Sequence, residues 1–162
     1  IRVPDPKSAL RKFTTDPGLP ECPQLRIIRI DGSLFFGAVN YFQEMLRAFE
    51  GQNPRQKFLA IDMSGVNFVD IAGAEALCQE ARRLEKGKGR LFLINVKESV
   101  AETLHRGGYD AEIGLGNVFQ SKTQALRKIY PLLDRTHCAE CMRSVFVECR
   151  LAGRKEPEED AA

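Results

Sequence analysis

The chain has 162 residues, 43% of them apolar and 28% charged, which is the profile of one globular domain able to bury a core. Lys plus Arg number 24 against 22 Asp plus Glu, and a net charge of +2 counts against a dedicated nucleic-acid binder, which needs concentrated positive charge. No apolar run approaches the ~20 residues that span a bilayer.

Five of the eight prolines, Pro4, Pro6, Pro17, Pro20 and Pro23, lie in residues 1–24. Proline fixes φ and removes a backbone donor, so this stretch is expected to be a linker or an arm lying on the domain. Leu25 to Ile30 is a β-branched run followed by Asp31-Gly32 and then Leu34-Phe35-Phe36. This pattern predicts a β-hairpin turning at Gly32. From Val39 the apolar spacing changes to Val39, Phe42, Met45 or Leu46, and Phe49, a helical stripe that ends near Gly51.

Lys57 to Asp62 reads as the next strand, and Met63 to Asp70 as a loop in which Phe68-Val69 re-enters the core. Ile71, Ala74, Leu77, Ala81 and Leu84 then form one face of a second helix, which stops at Gly87/Gly89. Leu91 to Val96 is almost unbroken in apolar character, as in a strand covered on both faces. A short helix from Glu98 to Arg106 follows, ended by Gly107-Gly108. Asn117-Val118-Phe119 predicts a final short strand, and Ser121 caps a final helix that Pro131 shortens. Strands separated by amphipathic helices imply an α/β fold, with parallel pairing after the opening antiparallel hairpin and four to five helices packed on a small mixed sheet.

Residues 25–134 make up this body. Residues 135–153 form a Cys-containing extension, and residues 154–162, acidic and without large apolar side chains, are expected to be disordered. The first residue is Ile1, with no basic-then-apolar leader behind it, so the expectation is a piece of a longer chain.

Catalytic signatures are missing: there is no G-x-x-x-x-G-K-[ST], no G-x-G-x-x-G after a strand, no H-E-x-x-H and no G-x-S-x-G. Of the two histidines, His105 sits near a helix end, where a capping or surface role suffices. An enzyme working through Asp62, Ser64 or Asp70 is the weakest reading, and no cofactor is implied. The informative stretch runs from Ile61 to Leu77. Asp62 closes an apolar strand, and Ser64 and Gly65 lie in the loop after it. Asp70 is placed to cap the orphan N–H groups of the second helix. The small pair Ala72-Gly73 lets another backbone or a ligand approach. Capping and packing alone account for such a loop as well.

Asp62-Met63-Ser64-Gly65-Val66-Asn67-Phe68-Val69-Asp70, followed by Ala72-Gly73, resembles the signature loop of STAS domains, which occur in bacterial SulP (sulfate permease) anion transporters and in anti-sigma-factor antagonists. The segment from Gly32 to Phe42 is similar to the "G-x-L-F-F-A-N-A-x-x-F" segment of the transporter branch. Val96 to Val100 with Leu104 and Gly107-Gly108, and Asn117 to Phe119 before Gln124-Ala125-Leu126, resemble the later segments. The resemblance covers about residues 25–134.

It implies a noncatalytic cytoplasmic regulatory module, at the inner face of a bacterial plasma membrane, attached to the membrane-embedded transporter domain of the same polypeptide. Such a module acts by contact with a cytosolic regulatory protein and, in some members, by binding nucleotide or another small ligand. The expected contact residues are Ser33, Leu34, Asp62, Ser64, Gly65, Asp70, Ile71, Ala72, Gly73 and Glu75. In the antagonist branch, a Ser or Thr just before the helix-start Gly accepts phosphate. Ala72 matches that position and has no hydroxyl, so a phosphate switch there is excluded by chemistry. A free-standing antagonist lacking its phosphoacceptor is the alternative reading.

Two features fall outside this pattern. His137, Cys138, Cys141 and Cys149 include one C-x-x-C pair, and their thiolate and imidazole groups suit Zn²⁺. A single pair falls short of the usual two, so idle reduced thiols or an apolar docking segment containing Met142, Val145, Phe146 and Leu151 fit as well. Arg82, Arg83, Lys86, Lys88 and Arg90 make a basic run, either a solvated helix end or a contact for anionic lipid.

Overall fold

The computed structural model describes residues 1–8 and 12–151, so the expected acidic tail lies outside the described residues. Three parallel strands form the central sheet: β3 (Leu25–Asp31), β4 (Phe58–Gly65) and β5 (Arg90–Ile94), in the order β3-β4-β5. Two short strands, β1 (Val3–Pro4) and β2 (Phe13–Thr14), make a separate antiparallel pair in the Pro-rich arm. The arm is tied to the sheet where the Arg2 N–H donates to the Ile27 carbonyl at 2.7 Å, and Val3 is buried.

Among the described residues there are six α-helices: α1 (Phe36–Gln52), α2 (Ile71–Lys86), α3 (Glu98–Arg106), α4 (Tyr109–Ile113), α5 (Lys122–Ile129) and α6 (Arg135–Glu140). Successive strand residues point to opposite faces, and two cores follow from this. Ile28, Leu59, Ile61, Met63, Leu91 and Leu93 pack with Phe42 and Leu46 of α1, Leu77 and Ala81 of α2, and Val100 and Leu104 of α3. Leu25, Ile27, Ala60, Phe92 and Ile94 pack with Ala125, Leu126 and Ile129 of α5. Val145 and Phe146, beyond α6, complete this second core, whereas Met142 is exposed. Among the described residues no helix is long and apolar enough to cross a membrane.

The mixed α/β fold is the one expected, but its antiparallel element lies elsewhere. Leu25–Phe36 is not a hairpin. Gly32 does take the positive φ of +103°, yet the chain continues past β3 instead of folding back. Leu34 forms a parallel bridge with Val69, and α1 already begins at Phe36. The Leu34 N–H donates to the Phe68 carbonyl at 3.0 Å, and its carbonyl accepts from the Asp70 N–H at 3.2 Å. Those partners lie more than thirty residues away in sequence, beyond the reach of any local turn pattern.

The strand expected to end at Asp62 runs on to Gly65, because β3 follows it with a register shift between Arg29 and Asp31. Phe68 does not re-enter the core: Val69 does, and Phe68 faces outward at 56% exposure. The strand expected at Asn117 to Phe119 is reduced to a single bridge between Leu93 and Val118.

Candidate functional site

The carboxyl ends of β3 and β4 and the first turns of α1 and α2 meet in one place. Asp70 organises it. Its Oδ1 accepts from the Gly73 N–H at 2.8 Å, the N-cap bond of α2, and its Oδ2 accepts from the Phe36 N–H at 3.0 Å, the first residue of α1. One carboxylate thus joins two helix N-termini, whose dipoles both favour its charge. These backbone donors hold its pKa below the ordinary carboxylate value.

Gly73 is buried against Leu34: a Cβ built there would stand 2.3 Å from the Leu34 carbonyl oxygen. The close approach expected at Ala72-Gly73 is therefore occupied by the chain's own backbone. Ala72 itself is half-buried. Gly65 has the same kind of reason, since a Cβ there would lie 2.6 Å from the Ile30 carbonyl oxygen.

Asp62 is buried and works inward. Its Oδ1 accepts from the Ser64 N–H and from Asn95 Nδ2, both at 3.0 Å, while Asn95 Oδ1 accepts from the Lys122 N–H at 3.0 Å. Asn95 adopts a φ of +54°, a left-handed conformation that Asn tolerates, and this turns its amide between β4 and the start of α5. The chain Ser64–Asp62–Asn95–Lys122 pins the end of the sheet from within.

The expected contact residues therefore divide. Leu34, Asp62 and Gly73 are buried and supporting, whereas Ser64, Gly65, Asp70 and Ala72 are half-buried. Ser33, Ile71 and Glu75 are exposed. Around Ile71, at 74% exposure, stand aromatic side chains that the sequence reading did not place in the site: Phe35, Phe36 and Phe68, exposed by 47%, 81% and 56%. Tyr41, one turn further along α1, is 73% exposed. In the sequence they flank Leu34 and Val69, and only the parallel bridge between those two residues brings them to one face. Large exposed apolar side chains grouped on rigid backbone mark a contact surface. Cavities of about 170, 840 and 510 Å³ are lined by other residues, none of them from Asp62 to Glu75.

His105 is exposed, and its Nδ1 pairs with Asp110 at 2.8 Å. His137, Cys138, Cys141 and Cys149 line one small cavity together with Cys22. Among the described residues no group of three or more His, Cys, Asp or Glu is positioned to hold a metal ion. Burial pushes the Cys22 thiol up to about 11 and raises Cys138 and Cys149, which keeps them protonated. Gln24 clasps this extension: its amide donates to the Asp134 carbonyl at 3.1 Å and to Cys138 Sγ at 3.3 Å, and accepts from the Asp134 N–H at 2.8 Å.

Comparison with known proteins agrees with the geometry. The chain is 30% identical to sulfate transporter 1.1 of Arabidopsis thaliana over 112 residues, which are 64% of this chain and 17% of that one. It spans about a fifth of the length of the curated relatives it matches. The solved structure of a sulfate transporter family protein from Wolinella succinogenes is 26% identical, with a TM-score of 0.61, covering 79% of this chain and 97% of that one. The murine anion transporter Slc26a9 in its inward-facing state shares the fold with a TM-score of 0.69 at 24% identity, covering 80% of this chain and 22% of that one. The unphosphorylated anti-sigma factor antagonist SpoIIAA shares the fold at 18% identity, with a TM-score of 0.55 over 70% of this chain and 94% of that one. Residues 16–125 match the model of the STAS domain, and the chain belongs to that family, related to the STAS domains of SulP-type sulfate transporters, which are membrane proteins.

Proposed function

We propose that this chain is the noncatalytic regulatory module of a SulP-type anion transporter, held at the cytoplasmic face of the membrane and working through protein contact. The observation that carries this reading is the exposed cluster of Phe35, Phe36, Phe68 and Ile71, set on two helix starts that Asp70 locks together. A rigid apolar surface loses little entropy when it is covered. Its partner in this reading is the membrane-embedded domain of the same polypeptide, with a cytosolic regulatory protein as a second occupant of the same end. Nucleotide or another small ligand remains a further occupant in this reading, at a place separate from the cavities lined by other residues.

The test is sulfate uptake by the full-length transporter carrying Phe36→Ser and Ile71→Ser. Uptake is expected to fall severalfold with membrane insertion and domain stability unchanged, because both side chains point into solvent in the isolated domain. Uptake equal to wild type overturns the docking role. A native reading frame without preceding membrane-spanning segments overturns the transporter assignment in favour of an antagonist-like protein, one that Ala72 leaves without a phosphoacceptor.

A further inference from the structure

The basic run of the second helix is redistributed by folding. Arg82 pairs with Glu112, while Arg83 holds Glu80 through two bonds of 2.9 and 2.6 Å and also pairs with Glu50. Those two guanidinium groups are neutralised within the domain. Lys86, Lys88 and Arg90 are not, and the fold brings two further cations to them. Phe58 is in register with Arg90, and the Arg90 N–H donates to the Lys57 carbonyl at 3.3 Å. Gly89 lies so close that a Cβ there would be 2.1 Å from that same carbonyl oxygen. Arg55 lies two residues before Lys57 in the α1–β4 connection.

All five side chains, Arg55, Lys57, Lys86, Lys88 and Arg90, are exposed, and among the described residues none has an ion pair. Glu85 is the acid of the 82–90 stretch, and it too has no ion pair among the described residues. Lys88 keeps its long cationic side chain at a φ of +59°, between Gly87 and Gly89.

We propose that this amino-terminal edge of the sheet, formed by Arg55, Lys57, Lys86, Lys88 and Arg90, contacts an anionic lipid surface. The inference rests on the transporter reading above, which sets the domain beside a membrane. Charge complementarity selects lipid headgroups. Protein interfaces are built around buried aromatic or apolar anchors; segments 53–57 and 85–90 hold no large exposed apolar side chain, and the exposed Leu132 and Met142 that share a cavity with Arg55 and Lys57 carry no aromatic ring. A lipid surface needs only the charge. Strand β4 runs eight residues, Phe58–Gly65, about 25 Å at the usual rise. The basic edge thus lies at the opposite end of the sheet from Phe36 and Ile71, so engagement of both ends requires the strands to lie along the membrane surface.

The experiment is flotation of the 162-residue chain with vesicles of phosphatidylcholine alone or containing about one-third phosphatidylglycerol. Binding is expected only with phosphatidylglycerol and is lost in high salt. Each cation removed lowers partitioning about fivefold, so Lys57→Gln, Lys88→Gly and Arg90→Gln together lower it about a hundredfold. Lys88→Gly also suits the left-handed backbone, and unchanged thermal melts verify that the variants are folded. Arg47→Gln, Arg127→Gln and Lys128→Gln together remove the same charge from exposed positions of α1 and α5 and leave binding within about twofold. Absence of binding to the anionic vesicles, equal binding to both vesicles, or equal loss in the two triple variants overturns the proposal. So does capture by polyglutamate in place of vesicles, which would assign the edge to an acidic protein. Failure here leaves the uptake test of the docking surface untouched.

Discussion

Gly73→Ala separates local preference from tertiary geometry, because the two give opposite signs. Position 73 is the third residue of α2, and by helix propensity alone Ala there is better than Gly by up to ~1 kcal/mol. In the folded chain the added methyl would meet the Leu34 carbonyl oxygen at 2.3 Å and its carbonyl carbon at 2.9 Å. Leu34 cannot retreat cheaply, since its N–H and C=O are bonded to Phe68 and Asp70 and its side chain is buried at 1% exposure. Overpacking of this kind costs about 1–3 kcal/mol. A 2.3 Å approach to fixed backbone belongs to the upper part of that range, about 2–3 kcal/mol, so net of propensity Gly73→Ala is destabilised by about 1–2 kcal/mol, a fall in melting temperature of about 2–8 °C for a chain of this size. Urea unfolding followed by circular dichroism, with a calorimetric melt, measures both quantities. Gly73→Ala melting at or above wild type would refute the claim that Leu34 packs against this helix start.

Four further outcomes are expected. Asp70→Asn lowers stability at neutral pH; since Asp70's native pKa lies below its unfolded value near 3.9, its contribution is complete above that value and lost as pH falls through the native one. The difference between wild type and Asp70→Asn in urea is therefore constant from pH 7 to 5 and shrinks below about pH 4. Asp62→Ala strips partners from Ser64 N–H and Asn95 Nδ2 and costs about 1–3 kcal/mol, with amide exchange quickening at Ser64 and Lys122 as the specific sign. Phe146→Ala removes a ring that is 2% exposed and costs about 3–5 kcal/mol, and it makes the segment after α6 the first site of proteolytic nicking. Cys22 and Cys78, both buried with thiols pushed up to about 11, resist alkylation at pH 8 until the chain is unfolded in denaturant; rapid native labelling of either would contradict their packing.

Much of the element order was legible because it depends on local periodicity. The 3.6-residue stripe of α2, the apolar run of β5 and the Glu98–Arg106 helix before two glycines each carry their signal within a dozen residues. Asp70 as the cap of α2 and Ser121 as the cap of α5 were legible for the same reason. Phe36 and Phe68 were not. Alternation places them in a strand and in the core, but a single bridge between Leu34 and Val69 turns both outward.

Composition, period and side-chain chemistry are local properties, and they carry the α/β class, the signature loop of the family and the missing hydroxyl at Ala72. Long-range packing is what makes Asp70 cap a second helix, turns Asp62 inward to Asn95, and has Gly73 make room for Leu34. It also decided which cations of the 82–90 run are neutralised and which join Arg55 and Lys57. Apart from the Arg83–Glu80 pair within α2, these facts depend on contacts between residues thirty or more positions apart, and chain folding sets such contacts in a way that no local pattern encodes.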